Sequence, residues 1–199
     1  MLRSAPQSSM VRALTVGLMV LAGLAVAGCQ GTAPRPVARS FPTTWPSGTT
    51  LITLAAVRAQ CDPPPGWKAD PLKRDERHTH QVWLSPTGRT AYGVIYFSVP
   101  LPIGVSAVRW QFLREMKKQQ GGATLIEDQY DPKLPGIRFV VDDPVYRTRF
   151  NLVVNGFQGW AVYAGTVRDQ PIEPEELELA EKARDRTVLG LPEQAAARD

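Results

Sequence analysis

Residues 146–167, YRTRFNLVVNGFQGWAVYAGTV, decide the fold of this chain. Apolar side chains recur at every second position of the first half, which predicts a strand over Tyr146–Asn155 with one buried face. The residues on that face are Tyr146, Thr148, Phe150, Leu152 and Val154. The turn-forming residues 155–159, NGFQG, then lead into a second strand, Trp160–Val167. A tight turn containing Asn-Gly joins antiparallel strands, so this stretch predicts a β-hairpin.

Strand-like segments also precede this hairpin along the chain. They are Thr49–Ala59, His78–Leu84, Ala91–Val99, Ala123–Asp128 and Gly136–Val141. Residues 85–88, SPTG, form a turn between the second and third of them and predict another hairpin. Short links of this kind indicate an antiparallel sheet of about six to seven strands.

Two segments have the periodicity of helices. Ser106 is expected to cap a helix that runs to Gln120, because residues 105, 108, 112 and 116 are apolar and share one side. Gly121 and Gly122 are expected to end it. A second helix is predicted from Pro174, which suits the first helical position.

The second predicted helix carries Glu175 and Glu176 in its first turn, where the helix dipole favours acidic residues. Its inner stripe is predicted to contain Leu177, Ala180, Arg184 and Val188, and it is expected to end at Gly190 and Pro192. The resulting order is β-β-β-α-β-β-β-β-α. We therefore predict an α+β fold in which two helices pack on an antiparallel sheet, forming one domain over residues 49–190 with a flexible tail at 191–199.

This pattern resembles the PsbP/Mog1-like α/β/α sandwich over about 120 residues, from Pro63 to Leu189. The resemblance rests on four segments in a matching order, Pro65–Trp67, Trp83–Pro86, Phe112–Met116 and Gly159–Tyr163. That group includes photosystem extrinsic subunits, a nuclear-import cofactor and bacterial effector chaperones. Its members mostly act by binding other proteins and share no catalytic centre, which implies a non-enzymatic role.

The first 28 residues have the layout of a secretory signal peptide. Arg3 and Arg12 precede a run of 16 mostly apolar residues, Ala13–Gly28, which is shorter than the roughly 20 residues a membrane-spanning helix needs. The run ends in Val26-Ala27-Gly28-Cys29, which resembles the lipobox of bacterial lipoproteins. The alternatives are an ordinary leader with an incidental cysteine, and a short uncleaved anchor.

The lipobox resemblance implies that Cys29 receives diacylglycerol on its sulfur, is released by cleavage before it, and is often N-acylated. Two or three acyl chains anchor a protein stably in a bilayer. Gln30 follows, where an aspartate is the usual inner-membrane retention signal of diderm bacteria, so family behaviour implies the outer membrane, facing the periplasm. Residues 29–48 are rich in proline and are expected to form a tether.

Charge and cysteine content narrow the class of protein. Of 23 basic residues, two lie in the leader, which leaves 21 basic against 19 acidic residues in the mature chain. This balance, in an exported protein, argues against a nucleic-acid binder. Cys61 is the only other cysteine, so no intramolecular disulfide remains once Cys29 carries lipid. We expect Cys61 to act as a small, partly buried hydrophobic residue.

His78 and His80 are the only histidines and are weak candidates for a metal site. On a strand they face the same side, about 7 Å apart, and could share one metal ion. Asp75 and Glu76 supply further ligands only if their loop folds back. The alternative is the solvent-facing start of a strand. No metal or other cofactor is predicted.

Arg138, Arg147 and Arg149 form a candidate binding patch. If their two strands pair, three guanidinium groups could bind carboxylates, phosphates or lipid headgroups. The alternative is a solvated face, or a rim beside a helix. Trp110 lies at the margin of the apolar stripe of its helix and is a candidate partner contact.

The residues therefore predict a membrane-anchored envelope protein that binds or assembles other proteins and performs no catalysis. Its partners are expected to be the bilayer, through acylated Cys29, and an envelope protein. Two alternatives stay open: a metal-dependent hydrolase that uses His78 and His80, and a carrier that holds an apolar lipid between sheet and helix.

Overall fold

The computed structural model describes residues 51–74, 78–99, 103–120, 122–130 and 136–190. The predicted signal peptide, Cys29, the tether and the tail lie outside these residues. The described part has an α+β fold built on antiparallel strands, which confirms the predicted fold class. No helix among the described segments is long and apolar enough to cross a membrane.

The described chain contains two helices, α1 (Val105–Gln120) and α2 (Pro174–Arg186), and a short 3-10 turn at Ala55–Val57. The strands are β1 (Ile52–Leu54), β2 (Ala59–Cys61), β3 (Lys68–Ala69), β4 (Lys73–Arg74), β5 (His78–Leu84), β6 (Thr90–Ser98), β7 (Thr124–Tyr130), β8 (Gly136–Asp142), β9 (Tyr146–Asn155), β10 (Gln158–Val167) and β11 (Val188–Leu189).

The main sheet has eight strands, in the order β3-β5-β6-β10-β9-β8-β7, and β4 also pairs with β5. Every pairing is antiparallel. The predicted β5–β6 and β9–β10 hairpins are both present, and Asn155 pairs with Gln158 across the second turn. Gly156 adopts a φ of 59° there, a conformation that favours glycine. Six strands of this sheet are predicted ones, and the other two, β3 and β4, have two residues each. The predicted strand Thr49–Ala59 is wrong, because the 3-10 turn at Ala55–Val57 interrupts it and the flanking β1 and β2 lie in another sheet.

Helix α1 packs on β8 and β9 on the first face of the sheet. Val108, Phe112 and Met116 are buried there, as the helical periodicity predicts. Phe112 meets Phe139 and Phe150 edge-on, at ring-centroid distances of 6.0 and 5.1 Å. The predicted Ser106 cap is wrong, because the helix begins one residue earlier, at Val105.

The start of α1 is fixed by a backbone group instead. The carbonyl of Gly104 accepts hydrogen bonds from the N–H groups of Ala107 and Val108, at 3.0 and 3.3 Å. Carbonyl acceptance of this kind marks the residue that precedes the first helical turn. Ser106 therefore lies inside that turn, where its side chain is exposed.

Helix α2 packs on β6 and β10 on the opposite face. Its buried residues are Ala180 and Ala183, which lie in a second apolar cluster. The predicted inner stripe is correct at Ala180 but wrong at Val188, because the helix ends at Arg186. Thr187 is extended, and Val188 pairs with Gln60 of β2.

Strands β1, β2 and β11 form a separate three-stranded sheet, and residues of β2 and the 3-10 turn join the α2-side cluster. The two helices are thus offset from each other across the main sheet. Helix α1 packs on β8 and β9, whereas α2 packs on β6 and β10. The α2-side face of β7, β8 and β9 consequently lies beside that helix and carries polar side chains.

Candidate functional site

Two of the candidate arginines lie side by side on the α2-side face of the sheet. In the β8–β9 register Arg138 pairs with Asn151 and Arg149 with Val140. Phe139 and Phe150 alternate with these arginines and enter the core on the α1 side, so the arginines face the other way. The antiparallel pairing therefore places two guanidinium groups beside α2.

Helix α2 contributes a third arginine, Arg184, to the same place. The three arginines line a cleft of about 160 Å³ together with Glu127 and Gln129 of β7. We call this the arginine cleft, and its remaining lining residues are Phe139, Val140 and Phe150. The cleft is small beside the roughly 300–1,000 Å³ of sites for drug-sized ligands, so it fits one small polar group.

Two carboxylates of α2 hold the arginines in position. Glu181 Oε1 lies 2.9 Å from Arg149 Nε. Asp185 Oδ1 lies 2.9 Å from Arg184 Nε and 3.7 Å from Arg138 Nη2. These two acids are four residues apart, and this spacing places both on one side of the helix. The guanidinium groups are thereby oriented before any ligand arrives.

Asp185 stays ionised in this network. Burial raises the pKa of its carboxyl, but Arg184, Asn151 and Arg138 together hold the pKa below its usual value. Asn151 Nδ2 also donates a hydrogen bond to Asp185 Oδ1, at 3.1 Å. The carboxylate therefore remains an acceptor for these donors at neutral pH.

The network leaves several donors unused. Arg138 Nε and Arg149 Nη1 are buried and have no hydrogen-bond partner within the described structure, and the same holds for the acceptor Asn151 Oδ1. Arg184 uses Nε for Asp185, and neither of its terminal nitrogens contacts an acceptor among the described residues. A buried donor without a partner costs free energy, so an acceptor that reached Arg138 Nε or Arg149 Nη1 would stabilise the site.

Arg147, the third candidate arginine, does not line the cleft. Its guanidinium binds Asp142 through Nε and Nη2, at 3.2 and 3.1 Å, and Arg168 reaches the same carboxylate at 3.6 Å. The hydrogen bonds from Arg147 lower the pKa of Asp142, although burial opposes this shift. The third arginine of the cleft is Arg184, which the sequence did not identify as a candidate binding residue. An arginine inside the apolar stripe of a helix is the signal that could have identified it.

The candidate metal ligands His78 and His80 are buried on the α1-side face, so the expectation of a solvent-facing strand start is wrong. His80 Nε2 and the Tyr163 hydroxyl lie 2.8 Å apart. Burial, together with the nearby charges of His78 and Lys73, lowers the pKa of His80 to about 3. His80 is therefore neutral at physiological pH.

Gly93 makes room for this buried pair. It faces Tyr163 across the β6–β10 ladder, and a Cβ at this position would collide with the tyrosine ring. Glycine inside a strand often marks such a close approach. No group of three metal-binding side chains occurs in the described ranges, and Asp75 and Glu76 lie outside them.

Trp110 and Cys61, which the sequence also singled out, differ in exposure. Trp110 is 57% exposed on α1, and the Arg114 guanidinium carbon lies 5.3 Å from the centre of its ring. Cys61 is completely buried in the α2-side cluster. Burial raises the pKa of its thiol to about 11, although a hydrogen bond with Tyr92 lowers it somewhat. Cys61 thus packs as a small apolar residue, as expected, but it is completely rather than partly buried.

Comparison with known proteins adds little to this description. No protein-family model matches the chain, and no curated protein matches it significantly. One similar solved structure is a crystal structure from Bacteroides thetaiotaomicron VPI-5482 at 1.50 Å resolution, with 12% sequence identity and a TM-score of 0.37. The similarity covers 72% of this chain and 48% of that one.

Proposed function

We propose that this chain is a lipid-anchored protein of the bacterial cell envelope that binds an acidic partner through the arginine cleft and catalyses no reaction. The observation that carries the proposal is that Arg138, Arg149 and Arg184 line one cleft, and that Arg138 and Arg149 each have a donor without a partner in the described structure. Guanidinium groups are well suited to bind carboxylates and phosphates, because their planar fork matches two oxygens at once.

The anchor and location are part of this proposal. The Val26–Cys29 lipobox resemblance supports acylation of Cys29, and Gln30 supports placement in the outer membrane of a diderm host, facing the periplasm. The proline-rich residues 29–48 would then link the binding domain to the bilayer. An anchored binding module meets only partners within reach of its tether.

We further propose that the domain is a PsbP/Mog1-like sandwich. The offset of α1 and α2 on opposite faces of an antiparallel sheet supports this reading, as does the chain order of the segments that carry the resemblance. Because that group acts mostly by binding proteins, an envelope protein is the partner class this part of the proposal favours.

The binding claim is tested by variants of the cleft. The full-length chain carrying Arg184→Gln, or Arg138→Gln with Arg149→Gln, is compared with native protein for the envelope component it retains after purification. We expect the cleft variants to lose that component. Arg147→Gln serves as the matched control, because Arg147 lies on β9 but binds Asp142. Equal retention by all variants would contradict the proposal.

The anchor is tested separately by Cys29→Ala, with Cys61→Ala as the control cysteine. Intact-mass analysis of native protein should show a processed chain with lipid on Cys29. The Cys29→Ala chain should lack that lipid, because its only proposed acceptor sulfur is gone. An unmodified amino terminus in the native protein would contradict the lipoprotein assignment.

A further inference from the structure

We infer that the acidic group held by the arginine cleft is a phosphate ester with a neighbouring ammonium or hydroxyl group. This inference rests on the proposed function, since it takes the cleft to be the binding site, and it names the ligand chemistry. The phosphate would meet the three arginines, and the second group would meet Glu127.

The three arginines line the cleft from three different elements. Arg138 comes from β8, Arg149 from β9 and Arg184 from α2. Arg138 Nε and Arg149 Nη1 have no hydrogen-bond partner in the described structure, and no contact among the described residues engages the terminal nitrogens of Arg184. A planar carboxylate offers two oxygens in one plane. A phosphate offers three or four acceptor oxygens in a tetrahedral arrangement, so it can meet donors from three directions at once. The number and spread of the donors therefore favour phosphate.

The lining also contains one carboxylate, that of Glu127, which would repel a bare phosphate. Glu127 lies on β7 and its Oε1 accepts a hydrogen bond from Gln129 Nε2, at 2.6 Å. No contact within the described ranges engages Glu127 Oε2. A ligand ammonium or hydroxyl beside the phosphate would bind this oxygen and offset the repulsion. The mixed lining thus favours a two-part polar ligand over an inorganic anion.

The cleft is already organised for such a ligand. Glu181 and Asp185 fix the arginines through Nε or Nη2, and these contacts leave other nitrogens of the same groups available. A site whose donors are held in advance loses little side-chain entropy on binding. At about 160 Å³ the cleft holds a small headgroup but not an acyl chain.

Calorimetric titration of the full-length chain in phosphate-free detergent tests the ligand chemistry. The probes are phosphoethanolamine, inorganic phosphate and β-alanine, which pairs an ammonium with a carboxylate. We expect phosphoethanolamine to bind at least about tenfold more tightly than either of the others, which corresponds to about one logarithmic unit in Kd. Comparable Kd values for β-alanine and phosphoethanolamine would overturn the phosphate inference while leaving an acid-binding cleft in place.

Three variants assign the two halves of the ligand. Arg184→Gln should weaken phosphoethanolamine binding at least about tenfold, whereas Arg147→Gln should leave its Kd unchanged. Glu127→Gln should strengthen the binding of inorganic phosphate, because the repelling carboxylate is gone. It should also remove most of the preference for phosphoethanolamine over inorganic phosphate. An unchanged preference would overturn the role of Glu127. Thermal unfolding of each variant verifies that it is folded. No binding of any anion to the folded native chain would overturn both this inference and the proposed function.

The source of the phosphate ester is distinguished with vesicles. The Cys29→Ala chain, which lacks the proposed anchor, is floated with vesicles of phosphatidylethanolamine or of phosphatidylcholine. Selective flotation with phosphatidylethanolamine, lost in Arg184→Gln, supports a lipid headgroup as the source. Tight binding of phosphoethanolamine without flotation supports a soluble ester, which has the same chemistry.

Discussion

Two polar groups on opposite faces of the main sheet differ in how far they are buried. His80 and Tyr163 lie on the α1-side face, are almost completely buried and bind each other. The cleft arginines Arg138 and Arg149 lie on the α2-side face, have partly exposed side chains and each have a donor without a partner in the described structure. Polar residues on a strand are therefore packing groups or binding groups according to what covers them. Residue type alone does not decide between these roles.

The difference follows from the offset of the helices. Helix α2 packs on β6 and β10, so the arginines of β8 and β9 lie at its edge. There they meet the acids of the helix and border the cleft. His80 is instead shielded from water, and this burial lowers its pKa, so the imidazole is neutral at neutral pH.

The largest effect on stability is expected for Phe112→Ala, in the core between α1 and the main sheet. Phe112 packs against Phe139 and Phe150, and its removal should lower the free energy of unfolding by about 3–5 kcal/mol through lost burial and a residual cavity. Trp110→Ala on the same helix should cost within about 0.5 kcal/mol, because Trp110 is exposed. Denaturant titration measures both. A loss below about 1 kcal/mol for Phe112→Ala would show that this core is loosely packed.

A smaller effect is expected from acid. The pKa of His80 in the folded protein, about 3, lies below the ordinary value of 6.5, so the unfolded state binds the proton first. Stability should therefore fall as the pH drops below 6.5, by about 1.4 kcal/mol for each pH unit, until the folded-state pKa is reached. Unfolding measured at pH 6.5 and pH 5 should show about 2 kcal/mol of this loss. His80→Gln should have a flatter pH profile, and an identical profile would contradict the assignment.

The smallest effect on stability is expected at the arginine cleft. Arg149 and Glu181 form a half-exposed pair, and such pairs contribute roughly 0–1 kcal/mol. Arg149→Gln should therefore change the free energy of unfolding by about 1 kcal/mol or less while weakening anion binding. A loss above about 2 kcal/mol would show that Arg149 mainly attaches α2 to the sheet.

Much of this fold is predictable from local sequence patterns. The bounds of β5 and β9 match the predicted strands. The buried face of α1 and the start of α2 at Pro174 are also correct. In β9 and α1 the apolar pattern is long enough for burial on one side to determine the structure, whereas β5 is buried on both faces.

Other features depend on contacts that no local pattern contains. Strands β3, β4 and β11 have two residues each, which is too short for any period, and exist because longer strands pair with them. The burial of His80 depends on Tyr163, 83 residues away. Helix α2 ends at Arg186, where Thr187 is extended and its hydroxyl bonds that of Tyr92, which lies 95 residues away in the chain.

The central claim is that the arginine cleft, on the α2-side face of the main sheet, is the binding surface of this protein. The most direct measurement places a photo-crosslinking amino acid at Gln129, which lines the cleft, or at Trp110, which is exposed on α1. Each full-length chain is irradiated in its own envelope, and adducts are identified by mass spectrometry. We predict an envelope adduct from Gln129 that Arg184→Gln removes, and none from Trp110. Adducts from Trp110 alone would contradict the account.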